Sequence, residues 1–279
     1  MKNLIINADD FGLSRSVNRG IVESFQSGIV TSASLMVNMP GFDDALSLIK
    51  ENPALSVGLH INLLRGQPVS SADKPMSLIQ NNFFRGSVLS FLRSLHSEGM
   101  KEIEKECRAQ VEKALRNKLH ITHLDSEKNI HMVPKVFKLF VKIAHDYQIG
   151  SVRNINECGP YSFSERYFIA KYFSSVSQEN RNFSKQYNVK MPDHFFGFIE
   201  GAGMTMEALE KTFKCLRKGT TEMVCHPGYI DDEWKKWPLQ KERYYINNKR
   251  EMELEALISP RLKELVKSLG INLISYGEL

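Results

Sequence analysis

Leu4-Ile5-Ile6-Asn7-Ala8-Asp9-Asp10-Phe11-Gly12 is an apolar run that stops at two adjacent carboxylates and a glycine. A continuous apolar series with β-branched members reads as a strand covered on both faces, as in a parallel sheet. An unpaired carboxylate in the middle of such a strand costs several kcal/mol, so Asp9 and Asp10 mark its exit. In parallel α/β folds the carboxyl ends of the strands are where ligands and catalytic groups collect. Capping the next helix is the competing role for either aspartate, but Ser14 is better placed to cap a helix running on from Val17.

Outward from this strand the chain alternates. Val17, Ile21, Val22 and Phe25 recur at helical spacing and end at Gly28, a helix stop signal. Residues 31–37 read as a strand, 42–50 as a helix, and 55–63 as a strand carrying Gly58-Leu59-His60. Residues 65–96 lose periodicity, as an excursion that shapes a cleft does. A helix over 102–117 with Ile103, Val111 and Leu115 inward follows, then a strand over 121–125 and a helix over 134–147 burying Val136, Phe137, Phe140 and Ile143. Residues 150–154 form a short strand ending near Arg153, 161–188 read as helix with polar loops, and 193–203 are aromatic and glycine-rich. A helix over 205–218, a strand over 221–225 and a last strand over 272–276 complete the series. No linker or repeat divides it, so a single domain over residues 1–279 is expected. The pattern predicts an α/β fold: a single-domain (β/α) barrel, irregular or seven-stranded forms included, with its active site at the C-terminal ends of the strands.

Composition excludes several classes. Hydrophobic residues at 42% and charged residues at 25% match an ordinary globular chain, and 279 residues suffice for one α/β barrel. The net charge of +5 is spread among acids, notably over 100–118 and 235–249, which argues against a nucleic-acid track. No apolar stretch is long enough to span a bilayer and no secretory signal is present, so a cytoplasmic location is expected. Cys107, Cys158, Cys215 and Cys225 are too scattered for a disulfide framework or a cysteine zinc site. Gly201-Ala202-Gly203 lacks the preceding strand that a dinucleotide loop needs. No Gly-x-Ser-x-Gly elbow offers an acyl-enzyme nucleophile.

The polar residues at successive strand exits are Asp10, His60, Glu127 and His226. A lone histidine near an apolar run is more often a hydrogen-bonded structural residue, but four such residues at equivalent ends would face one another. Asp10, His60 and Glu127 supply the imidazole and carboxylate set that holds a catalytic divalent ion with one position open. His96, His120 and His145 lack that placement and read as surface or packing residues. Adjacent residues of a regular strand point to opposite faces, which makes Asp9 and Asp10 a poor glycosidase pair. Arg153, at a strand exit, is a candidate substrate contact, with a surface ion pair as the alternative.

Asn7-Ala8-Asp9-Asp10-Phe11-Gly12, Gly58-Leu59-His60, Thr122-His123-Leu124-Asp125-Ser126 with His131, and Cys225-His226-Pro227-Gly228-Tyr229 together resemble the ordered motifs of the YdjC-like carbohydrate deacetylases. That family includes chitooligosaccharide and hopanoid-biosynthesis deacetylases, and Asp193-His194-Phe195 followed by Gly201 is similar to the latter branch. The resemblance spans nearly the whole chain. It implies a (β/α) barrel, a divalent metal ion (Mg2+ or Zn2+), and hydrolysis of the acetyl group of an N-acetylated sugar or glycoconjugate to acetate. Asp10 and His60 match metal-ligand positions, Asp9 resembles the general base and His226 the general acid. One position departs: Glu127 stands where the family usually has a metal-binding histidine. A carboxylate there suits a harder ion, and His131 becomes a substitute ligand or substrate contact. Two other readings stay open: a non-catalytic sugar-binding relative with a weakened metal site, and a metal-dependent phosphoesterase. The expected partner is the N-acetylated sugar, with no nucleic acid and no transmembrane segment; a homodimer is compatible with the sequence.

Overall fold

In the computed structural model the opening stretch is strand β1, Lys2–Phe11, with every residue from Leu4 onward buried. The structure describes residues 1–70, 77–159, 165–230 and 248–279. The other strands are β2 (Ser32–Leu35), β3 (Ser56–Ile61), the hairpin pair β4 (Ile79–Gln80) and β5 (Phe83–Phe84), β6 (His123–Ser126), β7 (Ser151–Val152), β8 (His194–Phe196), β9 (Gly219–Cys225) and β10 (Ile271–Leu273). β1 lies inside the path β7-β6-β3-β2-β1-β9-β8, between β2 and β9, with β10 pairing its first residues. Every ladder in this sheet is parallel. Among the described residues the two ends of the path are stitched by isolated parallel bridges, Ser151 to Lys190 and Glu157 to Phe195. The result is an irregular seven-strand (β/α) barrel with helices outside.

The helices follow their sequence signals. α1 (Arg15–Gln26) starts where the Ser14 hydroxyl accepts the Val17 N–H at 3.2 Å. Its Gly20 is required by packing: a Cβ there would lie 2.5 Å from the Cα of Gly228, so a larger residue would push away the loop that carries His226. α2 (Phe42–Glu51) and, later, α5 (Pro134–Asp146) fall where their periodicity predicts. The excursion over 65–96 contains the β4–β5 hairpin and a short helix α3 (Val88–Arg93); residues 71–76 of it lie outside the described set.

Several elements differ from the sequence reading. α4 (Ser97–Arg116) begins earlier, because His96 Nδ1 accepts the Gly99 N–H at 3.3 Å. Leu115, expected inward, is 40% exposed, and Cys107 and Ala114 fill that face instead. The aromatic segment 193–203 hides the three-residue β8. α6 (Glu165–Lys185) and α7 (Met206–Cys215) occupy their expected regions, whereas α8 (Lys249–Ile258) and α9 (Pro260–Ser268) were not anticipated. Residues 160–164 and most of the charged stretch 235–249 lie outside the described residues.

Tyr276 belongs to a terminal turn rather than a strand, and it closes the amino ends of the sheet. Its ring stacks on His123 with centroids 3.7 Å apart, and its hydroxyl donates to Glu222 Oε2 at 2.5 Å. The backbone N–H groups of Tyr276 and Gly277 donate to Ser32 and Ser56, the first residues of β2 and β3. Gly58 makes room for the same layer, since a Cβ there would come within 2.5 Å of the His123 ring. Among the described residues no helix is long and apolar enough to cross a membrane.

Candidate active site

Asp9 and Asp10 share one cleft because β1 is not regular. Its register against β2 shifts between Ala8 and Phe11, and Asp10 sits in the left-handed region at φ 72°. Aspartate tolerates that conformation better than most residues. The kink breaks the alternation expected of adjacent strand residues, so both side chains line a cavity of about 250 Å³. His60, Glu127, His226 and Arg250 complete its floor, and Lys128, Phe198 and Arg166 belong to its rim.

The expected ligand set converges here. One donor atom each from Asp10, His60 and Glu127 lie within 4.8 Å of one another, and all three residues are buried. His60 Nε2 is 3.9 Å from Asp10 Oδ1 and 3.5 Å from Glu127 Oε2. Its Nδ1 is 2.8 Å from Asp125 Oδ1, which aims Nε2 at the other two, as outer partners of ligating histidines commonly do. Donor atoms of Asp9, His60 and Asp125 also lie within 4.8 Å of one another. These two carboxylates are already taken: Asp125 by His60, Ser34 and Arg153, and Asp9 by Arg153 and Asn7. The donor set of Asp10, His60 and Glu127 therefore fits a divalent ion better.

Two buried arginines hold the far oxygens of the ligand carboxylates. Arg250, on α8, pairs with Asp10 Oδ2, and Arg65, just after β3, pairs with Glu127 Oε1. Burial works to raise the Asp10 carboxyl, but Arg250, Arg65, His226 and His60 hold it well below the usual range. Burial likewise opposes ionisation of Glu127, and Arg65 with His60 brings it down to about 2. Burial disfavours the charged form of His60, yet Asp125, Asp9 and Glu127 raise it well above its ordinary value. Burial lowers His226, against the opposing pull of Asp9 and Asp10. Its Nδ1 is buried with no hydrogen-bond partner among the described residues.

Arg153 and His131 stand elsewhere than expected. Arg153 is fully buried and lies behind Asp9, not in the cleft. Its guanidinium meets Asp9 at 2.7 and 2.9 Å, Asp125 at 2.7 Å and Glu222 at 2.8 Å, so neither a substrate contact nor a surface ion pair describes it. His131 is turned away by the left-handed Lys128 and Asn129. Its Nδ1 lies 2.7 Å from Ser126 Oγ, its ring stacks on Phe140, and burial lowers its pKa to about 3, so it is a neutral packing residue. Sequence reasoning missed Arg65, Arg250, Asp125 and Glu222 as members of the site. Asp125 alone carried a signal, two residues from His123 on the same strand; Arg65 sits in an aperiodic stretch and Arg250 follows a run of mixed charges with no marker of its own.

The family model described as YdjC-like protein matches residues 3–268. The chain belongs to the YdjC-like family. Relatives of the family named carbohydrate deacetylase include one from Geobacillus stearothermophilus, 34% identical with 98% of this chain and 96% of that protein covered. One from Brevibacillus brevis is 33% identical, with 99% of both covered. A crystal structure of an Enterococcus faecalis V583 protein, provisionally assigned to cellobiose-phosphate cleavage, is 26% identical. It superposes with a TM-score of 0.78 over 99% of this chain and 98% of that one, and so shares the fold.

Proposed function

We propose that this YdjC-like protein is a metal-dependent carbohydrate N-deacetylase, hydrolysing the acetamide of an N-acetylated sugar to acetate and a free amine. The observation that carries the reading is the convergence of Asp10, His60 and Glu127 on one cleft that Asp9 and His226 also line. The full-length relatives named carbohydrate deacetylase agree with it. On this reading residues 1–279 form one catalytic domain.

Asp10, His60 and Glu127 would hold the ion, Mg2+ or Zn2+. When bound, such an ion polarises a carbonyl and lowers the pKa of water. Asp9 takes the proton of the attacking water; Arg153 and Asn7 fix its carboxylate from behind. His226 gives a proton to the departing nitrogen. Burial opposes its imidazolium form and lowers its pKa against the pull of Asp9 and Asp10, so turnover through it falls as pH rises. Proton transfer of this kind contributes about 10² to 10⁴ in rate.

Asp9→Asn and His226→Ala are expected to abolish acetate release while metal stays bound. Full activity in either variant removes that residue from the mechanism. Glu127 supports a second reading, sugar binding without turnover, which predicts a sugar complex and no acetate from the native protein.

A further inference from the structure

Glu127 brings an extra negative charge into a buried cluster that already contains Asp10. The structure shows what balances it. Arg65 is 2% exposed, and its guanidinium meets Glu127 Oε1 while Oε2 is left 3.5 Å from His60 Nε2. Asp10 and Arg250 repeat the arrangement: Oδ2 takes the arginine and Oδ1 faces His60. Each arginine thus meets the outer oxygen of a ligand carboxylate, and the inner oxygen faces His60.

The placement of Arg65 is built by the chain after β3. Asn62 Oδ1 accepts the N–H groups of Leu64 and Arg65 at 3.1 and 3.0 Å, an Asx-type turn. The Arg65 carbonyl accepts from the Asn62 and Asn38 amides, both at 3.0 Å. Asn62 is itself gripped through its backbone by Gln110, whose side chain accepts its N–H at 3.0 Å and donates to its carbonyl at 2.7 Å. Three polar side chains thus fix the backbone from which the guanidinium reaches Glu127.

We propose that Arg65 and Glu127 act as one unit, in which Arg65 is a positioning residue that cancels the charge of Glu127 and confines its ligation to Oε2. The pair then contributes no net charge to the ion site, as a neutral imidazole at position 127 would. This rests on the metal-site reading above. It follows that Arg65 lowers the affinity of its own site for divalent cations: an arginine paired with a ligand oxygen repels an incoming cation and withholds that oxygen.

The test is Mn2+ and Zn2+ titration calorimetry and thermal unfolding of the full chain, native and as Arg65→Met, Glu127→His and the double variant. Arg65→Met is expected to bind Mn2+ at least tenfold more tightly, and Glu127→His at least tenfold more weakly, because it leaves a buried guanidinium facing the ion. Each single variant lowers the melting temperature of the chelated protein, and the double variant restores most of both losses. Arg65→Gln, which keeps a hydrogen-bonding side chain, is expected to tighten Mn2+ binding in the same direction if Arg65→Met does not fold. A purely structural role for Arg65 would not raise affinity. Unchanged or weaker Mn2+ binding in the Arg65 variants, or a double variant no more stable than the two single losses predict, overturns the pairing while leaving the metal site standing. Failure of the native protein to bind either ion overturns both.

Discussion

Replacing Arg153 by methionine removes a cation that touches three buried carboxylates. The guanidinium lies 2.7 Å from Asp9 and Asp125 and 2.8 Å from Glu222, and it is fully buried. Asp125 is held well below the usual carboxylate range: burial opposes its ionisation, and Arg153 and His60 overcome that. Glu222 is pushed up to about 7 by burial even with Arg153 beside it. Breaking a buried pair by removing one partner costs about 3 to 5 kcal/mol. A native stability of about 5 to 15 kcal/mol leaves the variant folded but marginal. Without the cation Asp125 and Glu222 gain affinity for protons relative to the unfolded chain, so the deficit grows as pH rises and is smaller at pH 5 than at pH 8. Asp9 also loses its forked support and among the described residues keeps the Asn7 amide at 2.8 Å, so acetate release falls by about 10² or more. Arg153→Lys restores a positive charge but no planar fork, and should recover part of the stability and little of the rate. Urea unfolding at the two pH values and an acetate assay check this. A methionine variant that loses under about 1 kcal/mol and keeps full turnover would refute the role given to Arg153.

Two further predictions concern the same interior. Tyr276→Phe keeps the stack on His123 but loses the 2.5 Å hydrogen bond to Glu222, so it should cost about 1.5 to 3 kcal/mol when Glu222 is ionised and less below pH 7. Melts at pH 5.5 and 8.5 with equal losses would contradict this. Glu157 accepts the N–H groups of Gly197 and Phe198, and burial raises its carboxyl to about 8. Between about pH 4.5 and 8 the folded chain holds a proton there that the unfolded chain has released, so native stability falls with rising pH across that window. Glu157→Gln should flatten the profile, and a variant with an unchanged slope from pH 5 to 8 would count against it.

What the sequence made legible was local pattern. β1, the Ser14 cap, the exits at His60 and His226 and the helices α1, α2 and α5 follow from spacing and turn residues within a dozen positions. Asp9 and Asp10 were misread as facing opposite ways, because the register shift that brings them together depends on pairing with β2. Arg153 looked like an exposed contact because its partners come from residues 9, 125 and 222, and nothing local announces a charge meeting three others across the barrel. Glu127 was legible as a ligand candidate, but its balancing Arg65 was not, since aperiodic sequence gives no clue to where a long side chain reaches. β8 escaped because three residues are too few to show a period.

Acetate measurement on chelated and reconstituted protein tests the central claim most directly. With a panel of N-acetylated oligosaccharides, the native chain given Mg2+, Mn2+ or Zn2+ should release acetate and an equal amount of free amine, and EDTA should stop both. Turnover that survives complete metal removal, or release of phosphate with no acetate from any acetylated sugar, would contradict it.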